Sequence, residues 1–278
     1  TWPLLFILFM NDLPLETNID LDMYADDSTI HTSASNIEEL EWKLNSALDV
    51  VSNWCNDNKT VANTEKTKSI IITTSHKSKT LHKDHIDVSL NGTTLQHINS
   101  DKLLGVTIDR HLTWQDHVTK VVASVSRNIA LLHRIRKFLP TDARITFYKA
   151  FIQPHLDYCN SIWGHSSSIK RIEILQKLAL RVIMDAPRMT PSASLFKFCK
   201  IMTVQERVKY RTACLVYKAL HHQVPNYICD MFVPLSDVST RTTRQSCQNS
   251  FLYIPRARLN VTRNSLRYKG AEIFNSIG

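Results

Sequence analysis

Two adjacent carboxylates, Asp26 and Asp27, are the residues of this sequence best suited to chemistry. Apolar and acidic residues alternate through 19–23 before them, and residues 29–32 can run back as a partner strand, so the pattern predicts a β-hairpin with the pair at its turn. Two carboxylates so close together repel, and a divalent cation is the usual way to hold them, as in phosphoryl transfer with two metal ions. Aspartate is also a favoured turn residue, so the pair alone leaves an ordinary turn open.

Further motifs surround this pair in a fixed order, and each of them is weak when taken singly. They are PLLFILF at 3–9 with NDLP at 11–14, YADD at 24–27, WC at 54–55, NTEKTK at 63–68, LGVTID at 104–109, LTW at 112–114 with His117, YC at 158–159 with WG at 163–164, and LQK at 175–177. Together they resemble the reverse transcriptases of non-LTR (LINE-type) retrotransposons, and their order and spacing are those of jockey-like elements. In that family a Gln-Gly helix start, the first catalytic Asp and the fingers precede the first motif. The resemblance therefore implies the carboxy-terminal half of a polymerase, without its amino-terminal part.

The resemblance implies catalytic roles for three residues. Asp26 would be a ligand of the catalytic magnesium ions, and Asp27 a weaker or indirect ligand. Lys66 sits where such polymerases place a cation near the nucleotide phosphates, where it would stabilise or protonate the leaving pyrophosphate. The alternative for Lys66 is a solvated loop lysine.

Other residues are implied to contact nucleic acid. Tyr24 would pack near the primer terminus, or else belong to the core. Leu104 and Gly105, with the turn that follows them, resemble the hairpin that grips the primer strand. The candidates for phosphate contacts from a thumb helix are Arg127, Arg134, Arg136 and Lys137.

The activity implied for the parent enzyme is RNA-templated DNA synthesis with two Mg²⁺ ions, in which the partners are an RNA template, a DNA primer and deoxynucleoside triphosphates. Two-metal catalysis needs a further carboxylate on a neighbouring strand, and Asp20 and Asp22 lie on the same strand as the pair. We therefore expect the isolated chain to be inactive. The alternative is a non-catalytic, nucleic-acid-binding relic of a retrotransposon.

Charge is distributed unevenly along the chain. Residues 1–116 carry nine Lys and Arg against 17 Asp and Glu, whereas residues 117–278 carry 25 against eight, although the whole chain has a net charge of only +9. An acidic half followed by a strongly basic half suggests a cation-gathering site next to a surface that holds a polyanion.

Cysteine usage and hydropathy bear on the compartment. No two of the six cysteines lie within four residues of each other, so zinc knuckles and redox pairs are not supported. The apolar run at 4–10 is too short and lacks the basic flank of a signal peptide, and no long apolar span is present. We expect reduced thiols in an intracellular protein of the nucleus, the cytoplasm or both, without membrane insertion.

The local patterns predict an α+β fold, which the resemblance divides into part of a right-hand polymerase palm (residues 1–115), a helical thumb-like domain (116–185) and a basic carboxy-terminal extension (186–278). In the first part, a capping box from Ser35 to Glu38 opens a helix that runs to about Trp54. A buried strand at 68–74, a hairpin around Asn91-Gly92 and a strand at 103–109 follow.

In the remainder, an apolar stripe at helical spacing begins near Asp116. Further helices are predicted at about 142–153, before Pro154, and at 169–184, and a second capping box, from Thr203 to Glu206, opens a helix to about 221. Beyond Pro225 we expect loops and short strands, with arginines at 241, 244, 256, 258, 263 and 267.

Overall fold

A computed structural model describes residues 2–17, 19–238 and 251–277 of the chain. It divides into two compact units, the first comprising residues 1–101 with 109–111 and the second comprising residues 102–108 with 112–278. Helices and small two-stranded sheets occur together, which is compatible with the predicted α+β class. The division of the chain into palm, thumb and extension remains a prediction.

The first unit carries four helices and most of the strands. In chain order the elements are α1 (Trp2–Met10), α2 (Leu13–Glu16), β1 (Asp20–Tyr24), β2 (Asp27–His31), α3 (Ile37–Asp57), β3 (Lys68–Ser69), α4 (Ser75–Thr80), β4 (Ser89–Leu90), β5 (Thr93–Thr94) and β6 (Gln96–His97). Strands β1 and β2 pair antiparallel, as do β4 and β5, whereas β3 and β6 pair parallel. Two further strands, β7 (Ser100–Leu103) and β8 (Val106–Asp109), form a hairpin whose tip belongs to the second unit.

Helix α3 begins one residue later than predicted. Its N-cap is Asn36, whose side chain accepts a hydrogen bond from the backbone N–H of Glu39, and the Glu39 carboxylate accepts from the backbone and hydroxyl of Ser35. The reciprocal capping box predicted for Ser35 and Glu38 is therefore absent: Asn36 caps the helix through Glu39, and Glu39 reaches back to Ser35, the residue before the N-cap.

The position of α3 beneath the first hairpin is confirmed. Leu21 and Met23 of β1 pack against a cluster formed by Trp54 and Cys55 of α3 and by Leu13. The alternation of β1 thus turns its apolar residues toward the helix and its acidic residues away from it.

Two strand predictions in the first unit have different outcomes. The hairpin at Asn91-Gly92 is confirmed, with φ of 52° and 73° at the two turn residues. The long buried strand at 68–74 is wrong, because pairing covers only Lys68–Ser69. Beyond that pair Ile71 is buried while Ile72 is 54% exposed. The apolar run therefore contributes one side chain to the core but does not continue the strand.

The second unit is helical. Its elements are α5 (Gln115–Ile135), which continues into a 3₁₀ turn (Arg136–Phe138), α6 (Thr141–Phe147), a π turn (Tyr148–Ile152), α7 (Gln153–Asp157), α8 (Asn160–Trp163), α9 (Ile169–Met184), α10 (Ser192–Cys199), α11 (Val204–Leu220), α12 (Asn226–Cys229), α13 (Leu235–Val238), α14 (Asn260–Arg263) and α15 (Leu266–Asn275).

Helices α5, α9 and α11 follow the sequence closely. The predicted stripe of α5 is buried at Val118, Val121, Val125, Ile129 and Leu132. Helix α9 has the predicted bounds, and the capping box that opens α11 is present. These side chains form one core with α6, α7 and α10.

Pro154 does not end the helical segment as predicted. The chain passes through the π turn at Tyr148–Ile152 and continues as α7, with Pro154 in its first turn. A wider turn accommodates the proline, whose missing N–H is not needed at a helix start.

The loops and short strands predicted beyond Pro225 are partly wrong. Helices α12 to α15 occupy much of this segment, and its pairing within the described residues is a single bridge between Pro234 and Leu252. Arg267 lies in α15, whereas Arg241 and Arg244 lie outside the described residues. A second small core joins α11 to α15 through Val216, Ala219 and Ala271.

Among the helices that the structure describes, none combines the length and the apolar character needed to cross a membrane. The five cysteines within the described residues are free thiols.

Candidate functional site

The acidic pair lies at the end of the β1–β2 hairpin. Tyr24 pairs with Asp27, so the turn consists of only Ala25 and Asp26. Ala25 has a φ of 55°, a left-handed conformation that a non-glycine residue seldom adopts and that a two-residue hairpin turn requires. Asp26 and Asp27 are both exposed, as predicted for side chains at the tip of a hairpin.

The pairing register decides which face of the hairpin each side chain occupies. Asp20, Asp22 and Tyr24 share the exposed face of β1, and Asp27, opposite Tyr24, shares it with them. Tyr24 is 67% exposed, so the core alternative for this residue is wrong. The outer face of the hairpin is therefore acidic, with one aromatic ring beside the turn.

A histidine lies beside the acidic residues farther from the turn. His31 Nε2 lies 3.1 Å from Asp22 Oδ2, and its Nδ1 lies 3.8 Å from Asp20 Oδ2. Within the described residues no basic side chain pairs with Asp26 or Asp27. Asp20 and Asp22 thus have a histidine within 4 Å, whereas the two carboxylates at the turn have no basic side chain as a partner among the described residues.

The predicted magnesium ligands supply part of a metal site. Asp26 and Asp27 offer the hard oxygen donors that Mg²⁺ prefers. Within residues 2–17, 19–238 and 251–277, however, no group of three or more His, Cys, Asp or Glu side chains is arranged to hold a metal ion. The donor chemistry fits magnesium, and the number of ligands that this chain brings together falls short of a closed site.

Lys66 lies in a turn built by Asn63. The Asn63 side chain accepts from the backbone N–H of Lys66 at 3.1 Å, and its carbonyl accepts from the hydroxyl of Thr67 at 2.7 Å. The Lys66 side chain is exposed, and neither a hydrogen bond nor an ion pair joins it to the acidic pair in the part of the chain that the structure describes. The placement leaves its catalytic role and the solvated-lysine alternative both open.

Leu104 and Gly105 form the tip of the second candidate hairpin. The predicted strand at 103–109 is confirmed over Val106–Asp109 and wrong before it, because β7 ends at Leu103 and the chain turns before β8 begins at Val106. The two turn residues have positive φ, 45° and 87°. The hairpin implied by the resemblance is therefore present, but Leu104 and Gly105 form its turn themselves instead of preceding it.

Three of the four predicted phosphate contacts are free to meet a ligand. Arg127, Arg134 and Lys137 are exposed, whereas Arg136 is half-buried with its Nε 3.0 Å from Asp185 Oδ1. Arg127 and Arg134 are two turns apart on α5, roughly 10 Å along the axis, on the side opposite the buried stripe.

Sequence reasoning missed Lys120, which precedes Arg127 by the same seven-residue interval. Its Nζ donates to the Thr107 hydroxyl at 3.0 Å, which joins α5 to strand β8 of the hairpin. The repeat of a basic residue at 120, 127 and 134 was the signal that would have identified it.

An open groove runs along one side of α5. It has a volume of about 350 Å³, and its residues come from α5 and α9: Ser126, Ile129, Ala130, His133, Arg134, Leu175, Leu178 and Val182. Arg134 thus belongs both to the basic row formed by Lys120, Arg127 and Arg134 and to the rim of this groove.

Ion pairs neutralise few of the basic residues in the second unit. The described pairs join Arg136 to Asp185, Arg207 and Arg211 to Asp157, and Lys269 to Glu272. Residues 117–278 contain 25 Lys and Arg, of which Arg241 and Arg244 lie outside the described residues, and most of the others have no carboxylate partner in the part of the chain that the structure describes.

The geometry gives an exposed acidic hairpin in the first unit and an excess of basic residues in the second, and comparison with curated proteins shows what the chain is similar to. The chain is similar to RNA-directed DNA polymerases of mobile elements, and the predicted resemblance to non-LTR retrotransposon polymerases is confirmed. No family model matches the chain, and no solved structure matches it.

Three relatives define the similarity. The RNA-directed DNA polymerase from mobile element jockey of Drosophila melanogaster is 28% identical over 198 residues, which covers 66% of this chain and 21% of the relative. The probable polymerases from transposon BS and from transposon X-element of the same species are 27% and 26% identical, covering 76% and 74% of this chain and 24% and 23% of their own lengths. The chain thus spans less than a quarter of the curated relatives it matches.

Proposed function

We propose that this chain is part of a mobile-element RNA-directed DNA polymerase, that it carries the acidic hairpin of the catalytic centre and a nucleic-acid-binding helical unit, and that by itself it does not polymerise. The observation that carries the proposal is the two-residue turn that exposes Asp26 beside Asp27. Nothing in a purely structural hairpin requires two unneutralised carboxylates at this point.

Magnesium would be held by Asp26 and Asp27 together with a carboxylate from a polymerase segment outside this chain. When bound, Mg²⁺ supplies Lewis-acid stabilisation of charge on the phosphoryl oxygens. The hairpin itself would present the two carboxylates to that site in a fixed geometry, since the tight turn allows them little freedom. Tyr24, exposed on the same face, would border the primer terminus.

The second unit would hold the RNA template and DNA primer. Lys120, Arg127 and Arg134 form a basic row on α5, and Lys137 extends it beyond the helix. Phosphate contacts of this kind position a duplex without reading its sequence, so binding should tolerate any sequence and weaken with salt.

The decisive experiment measures binding and extension in parallel. Fluorescence anisotropy with a labelled RNA–DNA primer–template hybrid should show affinity falling by roughly 10³ between 50 and 200 mM salt if six or more phosphates are contacted. Primer extension with Mg²⁺ and all four deoxynucleoside triphosphates should yield no product. Binding that salt does not weaken would contradict the proposed interface, and robust extension abolished by Asp26→Ala would contradict the proposed dependence on a further segment.

The second candidate function is a nucleic-acid-binding relic of a retrotransposon without a catalytic role. The specific observation in its favour is that the described residues bring together no three-ligand metal group, whereas the exposed Arg127, Arg134 and Lys137 all lie in the second unit. Sequencing the transcript upstream of Thr1 separates the two. An open frame with a further strand aspartate supports the polymerase segment, whereas stop codons or an unrelated exon support the relic.

A further inference from the structure

The tip of the β7–β8 hairpin is tied to the helices by the side chain of Tyr158. The Tyr158 hydroxyl donates to the Leu104 carbonyl at 2.5 Å. The ring lies against Gly105, where an added Cβ would come within 3.1 Å of Tyr158 Cε1. Two features therefore favour glycine at position 105: the φ of 87°, which L side chains rarely adopt, and the closeness of the Tyr158 ring.

Tyr158 is itself fixed from the other side. The indole Nε1 of Trp163, which is fully buried, donates to the Tyr158 carbonyl at 2.8 Å. The Trp163 ring packs against His117 with a centroid separation of 5.3 Å. A rigid, buried aromatic residue thus supports the backbone from which the Tyr158 ring projects.

His117 in turn contacts strand β8 of the same hairpin. His117 Nδ1 accepts from the backbone N–H of Thr107 at 3.2 Å, and this histidine and threonine are both buried. The hairpin is therefore held at two points, at Leu104 by Tyr158 and at Thr107 by His117. Trp163 contacts both of these residues. Fastening at two points fixes orientation as well as position, which a single hydrogen bond cannot do.

From this geometry we infer that Tyr158 is a positioning residue: it sets the orientation in which the Leu104-Gly105 tip meets the primer strand, and Trp163 and His117 support it. The inference rests on the proposed function, in which the second unit holds the primer, and on the resemblance of the tip to the hairpin that grips the primer strand. It adds a residue 54 positions away in sequence to the hairpin's own residues. Tyr158 does not itself contact reacting atoms.

The test uses the complete chain with Tyr158→Phe, which keeps the ring and removes the donor to Leu104. Hydrogen exchange in the free protein should become roughly five- to tenfold faster at residues 102–108, the size expected for one lost hydrogen bond. Exchange in α9 should be unchanged. Tyr210→Phe, at a 58% exposed tyrosine in the same unit, is the matched control and should alter neither region.

A second readout reports on the primer. A DNA primer ending in 4-thiothymidine, annealed to an RNA template, is photo-crosslinked to the chain, and the crosslinked peptides are mapped. The unsubstituted chain should crosslink within 102–108. With Tyr158→Phe the overall affinity should stay within about twofold while the yield at this peptide falls about threefold or more. Gly105→Ala, which displaces the tip by steric contact, should lower the same yield.

The outcomes separate the inference from the function beneath it. Faster exchange and reduced crosslinking in Tyr158→Phe support the inference. Unchanged exchange or unchanged crosslinking in a chain that does crosslink at the tip would overturn it and leave the proposed function intact. A chain that binds the hybrid without any crosslink at 102–108 would overturn the tip as a primer contact, and the inference with it.

Discussion

Tyr24 and Asp27 face each other across the last pair of the β1–β2 ladder, which leaves Ala25 and Asp26 as the entire turn. The relationship places one carboxylate in the turn and its neighbour at the first position of the returning strand. Both are exposed and absent from the cluster that joins β1 to α3, so neither contributes to the core.

The exposed pair should therefore be dispensable for stability. Asp26→Asn with Asp27→Asn is expected to change the free energy of unfolding by no more than about 0.5 kcal/mol, because surface substitutions without partners rarely do more. Urea unfolding followed by circular dichroism measures this. A loss of several kcal/mol would mean that the pair has a structural role, which would remove the argument for keeping its charges unbalanced.

Asp157 is the contrasting carboxylate. It is nearly buried and accepts from both Arg207 and Arg211, and the hydrogen bond from Arg207 raises the pKa of that guanidinium. Asp157→Asn should destabilise the second unit by about 2–4 kcal/mol, since it leaves a half-buried cation without its counter-charge. The same unfolding experiment measures it, and a change below 1 kcal/mol would show that water replaces the carboxylate.

Gln176 should be among the most sensitive core positions. Its fully buried amide donates to the Tyr148 hydroxyl at 2.9 Å and to the Met202 carbonyl at 3.0 Å, and it accepts from the N–H of Val204 at the start of α11. Gln176→Leu leaves all three groups unpaired and should cost about 3 kcal/mol or more. Tyr148→Phe, which removes one of these bonds, is the comparison and should cost about 1 kcal/mol. Equal losses would mean that the network does not act as a unit.

Stability should fall as the pH drops from neutral toward 5. Burial, assisted by the charge of Lys269 and opposed by Glu272, lowers the pKa of His165 to about 4, and its ring lies 3.3 Å from the Thr212 hydroxyl. The unfolded chain then binds the proton more readily than the folded chain does, so this stability is present above the ordinary pKa of about 6.5 and is lost below it. We expect a loss of about 2 kcal/mol between pH 7 and pH 5. His165→Gln should remove most of this pH dependence, and an unchanged slope would assign it to other groups, among which is His117, whose pKa burial also lowers.

The basic row on α5 predicts a specific salt dependence. Arg127→Ala with Arg134→Ala should weaken binding to the RNA–DNA hybrid and reduce the slope of log affinity against log salt by about 0.9 for each lost phosphate contact. Lys79→Ala, at an exposed lysine of the acidic unit, is the control and should leave the slope unchanged. Arg136→Ala should have a smaller effect, because Asp185 already pairs with that side chain. Equal slopes in all variants would place the interface elsewhere.

The sequence alone determined the features that depend on near neighbours along the chain. The alternation around Tyr24 to Asp27, the Asn91-Gly92 turn and the capping box at Thr203 were each predictable because adjacent side chains and backbone dihedrals decide them. The bounds of α9 and the buried stripe of α5 follow from helical periodicity in the same way.

Only the tertiary structure decided which distant residues meet. The hydrogen bond from Tyr158 to Leu104 and the ion pair of Arg136 with Asp185 join residues that lie about 50 positions apart in sequence, and the contact of His117 with Thr107 joins two different elements. Pro154 was misinterpreted for a related reason, because a π turn that local propensity does not favour is tolerated where the surrounding core is well packed. Periodicity records which face of an element is buried, and it carries no information about which other element buries it.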